Sequence, residues 1–382
     1  MNTAKKLRVA VVYGGRSSEH EVSCRSAASI LRNLDKSKYD VIPLGITKKG
    51  EWLSNDYSLL LDLDPKSMQV KTTDSQLTTF DGDPTQLRPF DVIIPVLHGV
   101  LGEDGTIQGL FEMADIPYVG CGVLASAIGM DKDVAKRLVR DAGIPIPPYI
   151  TVRSHELQNL KKILHQVEHE LNFPVFVKPA NAGSSVGITK VHNAEELLPA
   201  LQLAMQHDTK ALIEKSINAR DIELAVLENL DPTQPPLVSA VAGELIPVTD
   251  EFYSYDAKYA AHGANEKIPA PITAEQLQTL RNYAQEIFHV LECNGLTRVD
   301  FFIDKDTGAI YFNEVNTMPG FTQISLYPKL WEASGMSFQD LLTYLVELAV
   351  KRYEAKHRLE YYLAADKLLW QKTLARKICE RW

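Results

Sequence analysis

Apolar runs in the first third of the chain predict alternating strands and helices. Strand-like runs rich in β-branched residues lie at 7–15, 40–46 and 91–99, and helix-like stretches lie between and after them at 21–34 and 105–116. Such alternation predicts a parallel sheet covered by helices, with ligand sites in the loops at the strand ends. A further helix is predicted over about 131–142, and the proline-rich "GIPIPPY" that follows is typical of a linker.

Beyond the linker the pattern changes to strand pairs and separate helices. The strands "FPVFVKP" and "ITKVH" flank the small-residue loop "ANAGSSVG", which predicts an antiparallel hairpin. Helices are predicted over 274–291 and around 338–355, with a strand pair near 297–316 between them. This part of the chain is therefore expected to be of mixed α+β architecture.

Composition narrows the class of protein. The 382 residues suggest two or three domains, and the net charge of −9, without a dense Lys/Arg run, argues against nucleic acid as a partner. The four cysteines form no C-x-x-C pair, which favours a reducing cytoplasm over a disulfide framework. No apolar stretch reaches membrane length, so membrane insertion is not expected. The basic, amphipathic tail after about residue 360 predicts a surface or partner-contacting helix.

The strand pair near 297–316 carries the most informative polar residues. A turn at Asp-Thr-Gly 306–308 makes residues pair when their numbers sum to about 614, so Asp300 faces Glu314. Strand alternation places Arg298 and Asn316 on the same face. Opposed carboxylates need a cation, and oxygen donors without His or Cys suit Mg²⁺ or Mn²⁺. A register one residue off, with Arg298 pairing one carboxylate on a solvated face, explains the residues equally well.

The loop between the two hairpin strands has the composition of an anion site. Lys178 ends the first strand, and Ser184 and Ser185 lie among glycines in the loop. Backbone amides and hydroxyls in such a loop can hold a phosphate. It is not a P-loop, because G-x-x-x-x-G-K-[ST] is absent and a strand follows. A simple hairpin turn is the alternative, and Lys178 favours phosphate only modestly.

Two strand-end loops in the first part of the chain carry further candidates. In "YGGRSSEHEVS", Ser18 and Glu21 have the spacing of a capping box, which leaves Glu19 to receive an ammonium group or to complement the positive helix end. "HGVLGEDG" places His98 beside Glu103 at the neighbouring strand end. A hydrogen-bonded structural histidine is the alternative for His98. No G-x-G-x-x-G is present, which argues against a dinucleotide site.

The aromatic segment "EFYSYDAKYAAHG", 251–263, follows neither a helical nor a strand period. It is predicted to be a long loop, and long loops in compact domains are often functional.

Eight blocks together resemble the D-alanine:D-alanine ligases of the ATP-grasp superfamily. They occur in the family's order and approximate spacing over roughly residues 7–355, and they are "GGRSSEHEVS", "HGVLGEDGTIQG", "GMDK", "FVKPANAGSSVG", "LIEKSINARDIE", "EFYSYDAKY", "TRVDFF" and "NEVNTMPGFTQISLYPKLW". The resemblance implies an α/β protein with an N-terminal Rossmann-like parallel domain followed by a two-part ATP-grasp fold, a central α+β unit and a larger C-terminal one.

The domain boundaries implied are 1–128 for the substrate-binding domain, 129–220 for the central subdomain and 221–360 for the C-terminal domain, with a lid loop at 250–268. Residues 361–382 form a basic extension. The implied reaction is ATP-dependent joining of two D-alanines through an acyl phosphate, with release of ADP and phosphate, for peptidoglycan synthesis in the bacterial cytoplasm. Two Mg²⁺ or Mn²⁺ ions and a homodimer are also implied.

The resemblance also implies roles for single residues. Asp300, Glu314 and Asn316 resemble the metal ligands. Residues resembling the ATP-binding set are Lys132, Lys178, Ser185, Glu214, Lys215, Ile217, Asp221 and Lys258. Glu214 corresponds to the acceptor for the adenine amine, and Lys258 to the lysine that closes on the γ-phosphate. Asp221 stands where the family usually has glutamate for the ribose.

For the amino acids, Glu19 resembles the residue that holds the first ammonium, and His98 one that lies near the first substrate. The remaining matches are the oxyanion donors Arg298 and Gly320, the second-carboxylate positions Ser325 and Leu326, and the linked pair Ser184 and Tyr259. Retention of Tyr259 favours a dipeptide over an ester with D-lactate, whereas D-serine as second substrate stays open. Another ATP-grasp carboxylate–amine ligase and an inactive nucleotide-binding module are the alternative functions.

Overall fold

The computed structural model describes residues 5–54, 70, 83–247 and 264–360. The predictions for Lys258 and Tyr259, most of the lid loop and the 361–382 extension lie outside these residues. Within the described parts of the chain, no helix is both long and apolar enough to cross a membrane.

The first sheet is mainly parallel, as predicted. Three of its strands pair in parallel, and β3 adds antiparallel to β2, in the order β3-β2-β1-β4. The strands are β1 (Leu7–Gly14), β2 (Tyr39–Ile46), β3 (Trp52–Ser54) and β4 (Val92–Pro95), and the helices are α1 (His20–Asn33) and α2 (Thr106–Ala114). A 3-10 turn, Pro84–Leu87, precedes β4. The inner strands are buried on both faces, which explains their near-continuous apolar sequence.

The linking region contains two helices where the sequence predicts one. The predicted helix is α4 (Lys132–Asp141), and α3 (Val123–Met130) precedes it. Asp131 separates them, because its Oδ1 accepts hydrogen bonds from the amides of Asp133 and Val134 and so caps α4. The sequence of α3 is apolar almost all round, so it carries no amphipathic pattern. Residues 144–148 form the predicted linker without regular structure.

The second sheet is antiparallel, in the order β5-β8-β6-β7. Its strands are β5 (Tyr149–Arg153), β6 (Val175–Pro179), β7 (Thr189–Val191) and β8 (Lys210–Lys215). One face is covered by α5 (Leu160–Gln166) with its flanking turns Ser154–Asn159 and Val167–Leu171, and by α6 (Ala194–Ala204). The pairing of β6 with β7 confirms the predicted hairpin around the small-residue loop.

The third sheet has β9 and β13 at its centre. The order is β12-β11-β9-β13-β14, with β10 also pairing with β9. The strands are β9 (Ala219–Leu227), β10 (Leu237–Val238), β11 (Gly243–Pro247), β12 (Ala264–Lys267), β13 (Leu296–Asp304) and β14 (Ile310–Asn316). The helices of this part are α7 (Ala274–Val290), α8 (Leu326–Ala333) and α9 (Phe338–Lys356).

The first sheet shares a hydrophobic core with the end of the chain. One buried cluster joins β1 and α1 to residues of α8 and α9, such as Leu341 and Leu345. Arg352 of α9 donates to the carbonyls of Gly120 at 2.6 Å and Tyr118 at 2.7 Å. The N-terminal unit is therefore packed firmly against the C-terminal one.

The predicted capping box at the start of α1 is wrong. The helix begins at His20 with Glu19 at its N-cap position, and no side chain caps it. Glu21 instead contacts Lys48 at 2.5 Å on the turn between β2 and β3. The Glu21 carboxylate, which the local sequence pattern assigned to capping α1, therefore pairs with a lysine from a turn that is distant in sequence.

Candidate active site

The paired carboxylates lie where the hairpin register predicts. Asp300 on β13 is opposite Glu314 on β14, and Arg298 is opposite Asn316. The predicted sum of 614 therefore holds up to Asp300, after which a bulge shifts the register by one residue. The alternative of a slipped register is excluded. Bulges in an antiparallel pair are common beside functional sites, where they redirect side chains.

Arg298 is held by two carboxylates. Its Nε and NH2 groups donate to the two oxygens of Asp300 at 2.8 and 2.7 Å, and Nε also lies 2.7 Å from Glu223 Oε2. Asn316 donates to Asp300 at 2.9 Å. Burial alone would lower the pKa of Arg298, but Asp300 and then Glu223 outweigh it and raise the pKa. The guanidinium is thus a permanent cation with a fixed direction.

Sequence reasoning missed Glu223. It lies on β9, and only the pairing of β9 with β13 brings it opposite Asp300. The alternation in "RDIELAVL" indicates a strand, but nothing local in the sequence says which strand is its neighbour.

Lys132 connects the carboxylates to the small-residue loop. Its ammonium lies 3.3 Å from Glu314 Oε2 and donates to the carbonyl of Ala182 at 2.6 Å. The start of α4 therefore brings one cation to both sites. This placement fits a group that bridges a phosphate loop and a metal-binding carboxylate.

The small-residue loop has strained backbone. Ser184 and Ser185 have φ angles of 49° and 60°, in the left-handed region that non-glycine residues rarely adopt. Gly183 approaches Glu19 so closely that a Cβ there would lie 2.8 Å from a carboxylate oxygen. Strain of this kind concentrates at ligand-binding loops, which favours the anion site over a simple turn.

Glu19 and Ser184 meet across two units. The hydroxyl of Ser184 donates to Glu19 Oε1, and Glu19 is only 7% exposed. The candidate ammonium acceptor at the end of β1 therefore touches the candidate phosphate loop after β6. The structure brings together these two predictions, which are 165 residues apart in sequence.

His98 is a neutral, hydrogen-bonded histidine. Its Nδ1 donates to the carbonyl of Met318 at 3.1 Å, and its Nε2 accepts from Ser26 at 3.1 Å. Burial lowers the pKa of His98 despite the attraction of Glu19. The ring thus links the N-terminal unit to the segment before α8, which supports the structural alternative for this residue.

Glu103 follows His98 around the same loop and completes an acidic pair with Glu19. It accepts the amide hydrogen of Gly99 at 2.6 Å. Removal from water, and then repulsion by Glu19, raises the pKa of Glu103 to about 8. The site thus holds a second carboxyl group that is largely protonated at neutral pH.

The segment leading into α8 is held in place by close contacts at the start of that helix. Ser325 is the N-cap residue of α8, and its hydroxyl accepts the amide hydrogen of Thr322 at 3.0 Å. Gly320 packs closely enough that a Cβ would lie 2.9 Å from Ser325 Oγ. Leu326 is the buried first residue of the helix. A helix N-terminus favours a carboxylate, which suits the role expected for Ser325 and Leu326.

The predicted adenine acceptor lies between two lysines. Glu214 at the end of β8 is 1% exposed, with Lys178 2.5 Å from Oε1 and Lys136 2.7 Å from Oε2. Lys136 was not among the predicted residues, although its four-residue spacing from Lys132 on a predicted helix could have indicated it. Lys215 ends β8, and Ile217 lies in the short connection to β9. Asp221 on β9 pairs with Phe302 on β13.

The donor chemistry fits a hard divalent cation. Asp300, Glu314 and Asn316 supply only oxygen ligands from one sheet face, which Mg²⁺ or Mn²⁺ prefers. Among the described residues no cluster of three His, Cys, Asp or Glu forms a metal site, as expected for a set with two carboxylates and one amide.

Comparison with solved structures defines the class of protein as an enzyme of the ATP-grasp fold. The VanG D-Ala:D-Ser ligase from Enterococcus faecalis is 37% identical, with a TM-score of 0.78 over 91% of this chain and 100% of that one. The D-alanine-D-alanine ligase from Coxiella burnetii is 30% identical, with a TM-score of 0.77 over 98% of this chain and 100% of that one.

Sequence comparisons agree on a narrower group. The family profiles described as D-ala D-ala ligase N-terminus and C-terminus match residues 8–121 and 138–347. D-alanine–D-alanine ligases from Thermoanaerobacter sp. strain X514 and Acetivibrio thermocellus are 48% and 47% identical, covering 93% and 91% of this chain and 99% and 97% of their own length. The chain therefore belongs to the D-alanine–D-alanine ligase family, which confirms the resemblance and the fold class predicted from sequence.

Proposed function

We propose that the protein joins two D-alanines to D-alanyl-D-alanine for peptidoglycan synthesis, using ATP and releasing ADP and phosphate. The contact between Ser184 and Glu19 carries the proposal, because it sets a phosphate-binding loop against an acceptor for an amino acid's ammonium group. Phosphoryl transfer to a carboxylate needs both partners at one place, since positioning supplies much of the rate.

The nucleotide is proposed to lie between the second and third sheets. Lys132, Lys178 and the loop around Ser185 hold the phosphates, Glu214 accepts from the adenine amine, and Asp221 holds the ribose. The backbone at Lys215 and Ile217 completes the adenine edge. Lys178 and Lys132 now neutralise Glu214 and Glu314, so the cations are already gathered beside the loop.

Asp300, Glu314 and Asn316 are proposed to hold two Mg²⁺ or Mn²⁺ ions. Such ions supply charge neutralisation for the phosphate oxygens during transfer. In the described structure Arg298 and Lys132 balance the carboxylates, which keeps the two acidic strands from repelling each other.

The amino acids are proposed to lie on the other side of the loop. Glu19 receives the first ammonium, and the amine of the second D-alanine attacks the activated carboxyl carbon. Arg298 and the amide of Gly320 stabilise the oxyanion that forms, since fixed donors aimed at developing charge lower the barrier most. The N-terminus of α8, with Ser325 and Leu326, holds the second carboxylate. His98 is proposed to lie near the first substrate and to orient the loop before α8 through its hydrogen bond to Met318.

D-Serine at the second position is the competing candidate. The structural neighbour from Enterococcus faecalis is named a D-Ala:D-Ser ligase. The curated relatives at 47–48% identity are D-alanine–D-alanine ligases, which favours D-alanine. We also propose the boundaries 1–128, 129–220 and 221–360, a homodimer and a cytoplasmic location, on family grounds.

The test is phosphate release from ATP and Mg²⁺ with D-alanine alone, and with D-alanine plus D-serine or D-lactate, with products identified by mass. We expect release with D-alanine alone and a dipeptide as the main product. Chelation of the metal with EDTA should abolish release, and added Mg²⁺ or Mn²⁺ should restore it. Absence of release with D-alanine would refute the proposal, and a dominant mixed dipeptide would favour the D-serine candidate.

A further inference from the structure

Three charged side chains are buried together at the proposed adenine site. Glu214 and Lys136 are each 1% exposed and Lys178 is 7% exposed. The group combines one carboxyl group with two lysines, and an excess of cationic groups suits a polyanionic nucleotide. Burial lowers the pKa of Lys136, and the attraction of Glu214 opposes that shift. Burying an excess charge is costly, and buried charges with perturbed pKa values cluster at functional sites.

The two lysines are held differently. Lys178 is the next-to-last residue of β6, close to the small-residue loop, so rotation of its side chain can carry the ammonium to a phosphate. Lys136 comes from α4, beneath the sheet, where its ammonium lies 3.5 Å from the carbonyl of Phe312 and 5.9 Å from the centre of that ring. Lys136 is therefore enclosed and cannot follow the phosphates.

The charge of Glu214 depends on these lysines. Burial alone would raise its pKa, but Lys136 first and Lys178 second outweigh burial and lower it. If Lys178 turns to a phosphate, Lys136 is the cation left beside the carboxylate. Without it, Glu214 would be an unpaired buried charge and would take up a proton.

One oxygen of Glu214 keeps a lone pair for a donor. Oε1 accepts from Lys178, whereas Oε2 receives no directed hydrogen bond from the described residues. Oε2 also lies 2.7 Å from the ammonium of Lys136, with which it forms an ion pair. An amino group on a purine ring is a donor that this oxygen can accept.

We propose that Lys136 is the positioning residue for base recognition, holding Glu214 as an oriented anion while Lys178 turns to the nucleotide phosphates. Lys136 thereby sets the preference for a purine with an amino group at position 6. The inference rests on the proposed function, because it takes ATP as the ligand of this site.

The test compares ATP with purine riboside triphosphate, which lacks the 6-amino group. A hydrogen bond to a charged acceptor contributes about 1.5–3 kcal/mol, so the wild-type protein should bind ATP about 10- to 100-fold more tightly. In Lys136→Met the preference should fall below about 3-fold, measured by calorimetry without amino acids and by KM. Lys136→Arg, which keeps the charge, should retain most of the preference. Lys161→Met, a substitution of an exposed lysine on α5, is the control and should behave as wild type.

A folded Lys136→Met variant with wild-type discrimination would overturn the inference. If that variant does not fold, a crystal structure of the wild-type ADP complex decides the question. We expect Lys136 to remain within 4 Å of Glu214 and Lys178 to have moved onto a phosphate. A complex in which Lys178 still contacts Glu214, or in which Lys136 has moved away from it, would contradict the inference. Failure of the proposed function looks different, since the wild-type protein itself would then neither bind ATP nor release phosphate.

Discussion

Arg298 shows how one side chain is fixed for catalysis by its neighbours. Two carboxylates, Asp300 and Glu223, hold the guanidinium from two strands, so its direction is set before substrate arrives. A planar guanidinium makes two parallel hydrogen bonds, which a lysine ammonium cannot reproduce. The residue is therefore rigid as well as charged.

Arg298→Lys should lower kcat by about 10²- to 10³-fold, the usual effect of losing one oxyanion donor. The KM for ATP should change little, because the nucleotide is assigned to other residues. Steady-state phosphate release at saturating D-alanine measures both constants. If instead the KM for ATP rose by a similar factor while kcat stayed unchanged, Arg298 would be assigned to nucleotide binding.

Glu103 predicts a pH effect on stability. Its pKa is raised to about 8, so the folded protein binds this proton more tightly than the unfolded chain does. Between about pH 5 and 8 ionisation of Glu103 therefore destabilises the fold as pH rises, by some fraction of about 1.4 kcal/mol per pH unit, since the side chain is partly exposed. Repulsion by Glu19 contributes to the shift, and Arg298 opposes it.

Glu103→Gln should remove this dependence, because glutamine resembles the protonated acid. Urea unfolding at pH 5.5 and 8 would show wild type losing stability relative to the variant as pH rises. A constant difference between the two proteins at both pH values would contradict the raised pKa.

Sequence reasoning succeeded for residues whose partners are near in the chain. The pairing of Asp300 with Glu314 follows from one turn, because the register of the two strands can be counted outward from that turn. Glu223 was missed because its partner Arg298 lies on another strand, and a single sequence does not specify strand order. The capping box failed for a related reason, since Lys48 comes from another turn.

At the scale of elements, helix α4 contributes two lysine side chains, Lys132 and Lys136, to the site. Asp131 caps it and also receives Lys210 of β8 through both oxygens, at 2.7 and 2.5 Å. Lys210 further lies 3.3 Å from Asp133. These contacts fix the start of α4 against the second sheet. The position of the helix in turn places the side chains of Lys132 and Lys136.

Lys210→Met should destabilise the protein by about 2 kcal/mol, because it leaves Asp131 and Asp133 with less compensation in a largely buried place. It should also raise the KM for ATP by shifting α4. The matched control is Lys161→Met, which removes an exposed lysine from the same unit. Thermal unfolding and ATP titration test both effects, and equal behaviour of the two variants would contradict this role.

Element types were predictable where the pattern was periodic. The parallel strands and the hairpin around the small-residue loop were right, because their composition is distinctive. α3 was not predicted, since a helix that is apolar all round has no polar face to reveal its period. Lys258 and Tyr259 stay predictions.

At the scale of the molecule, α9 joins the two ends of the chain. Arg352 caps two carbonyls of the N-terminal unit and lies 4.9 Å over the ring of Tyr118. Further along the helix Tyr353 donates to the carbonyl of Asp115, and His357 lies 2.8 Å from its carboxylate. The sequence predicts three units, but the shared core shows that the first is not independent of the last.

Arg352→Met should lower the free energy of unfolding by about 2–3 kcal/mol, because charge-assisted hydrogen bonds and ring stacking are lost together. Hydrogen exchange should increase most in β4 and α2, the elements beside the contact. Lys351→Met is the control, since Lys351 is exposed and pairs only with Glu347 among the described residues, at 3.6 Å. Equal exchange in both variants would show that α9 does not hold the N-terminal unit.

The Arg352 contacts also bear on the order in which the protein is made. The carbonyl of Gly120 is synthesised 232 residues before the arginine that binds it. On a ribosome the N-terminal unit, with Glu19, emerges early but lacks the part of its core that α9 supplies until that helix has left the exit tunnel. The amino acid site can thus reach its final form only when nearly the whole chain has been translated, so nascent chains that stop before α9 should lack a complete site.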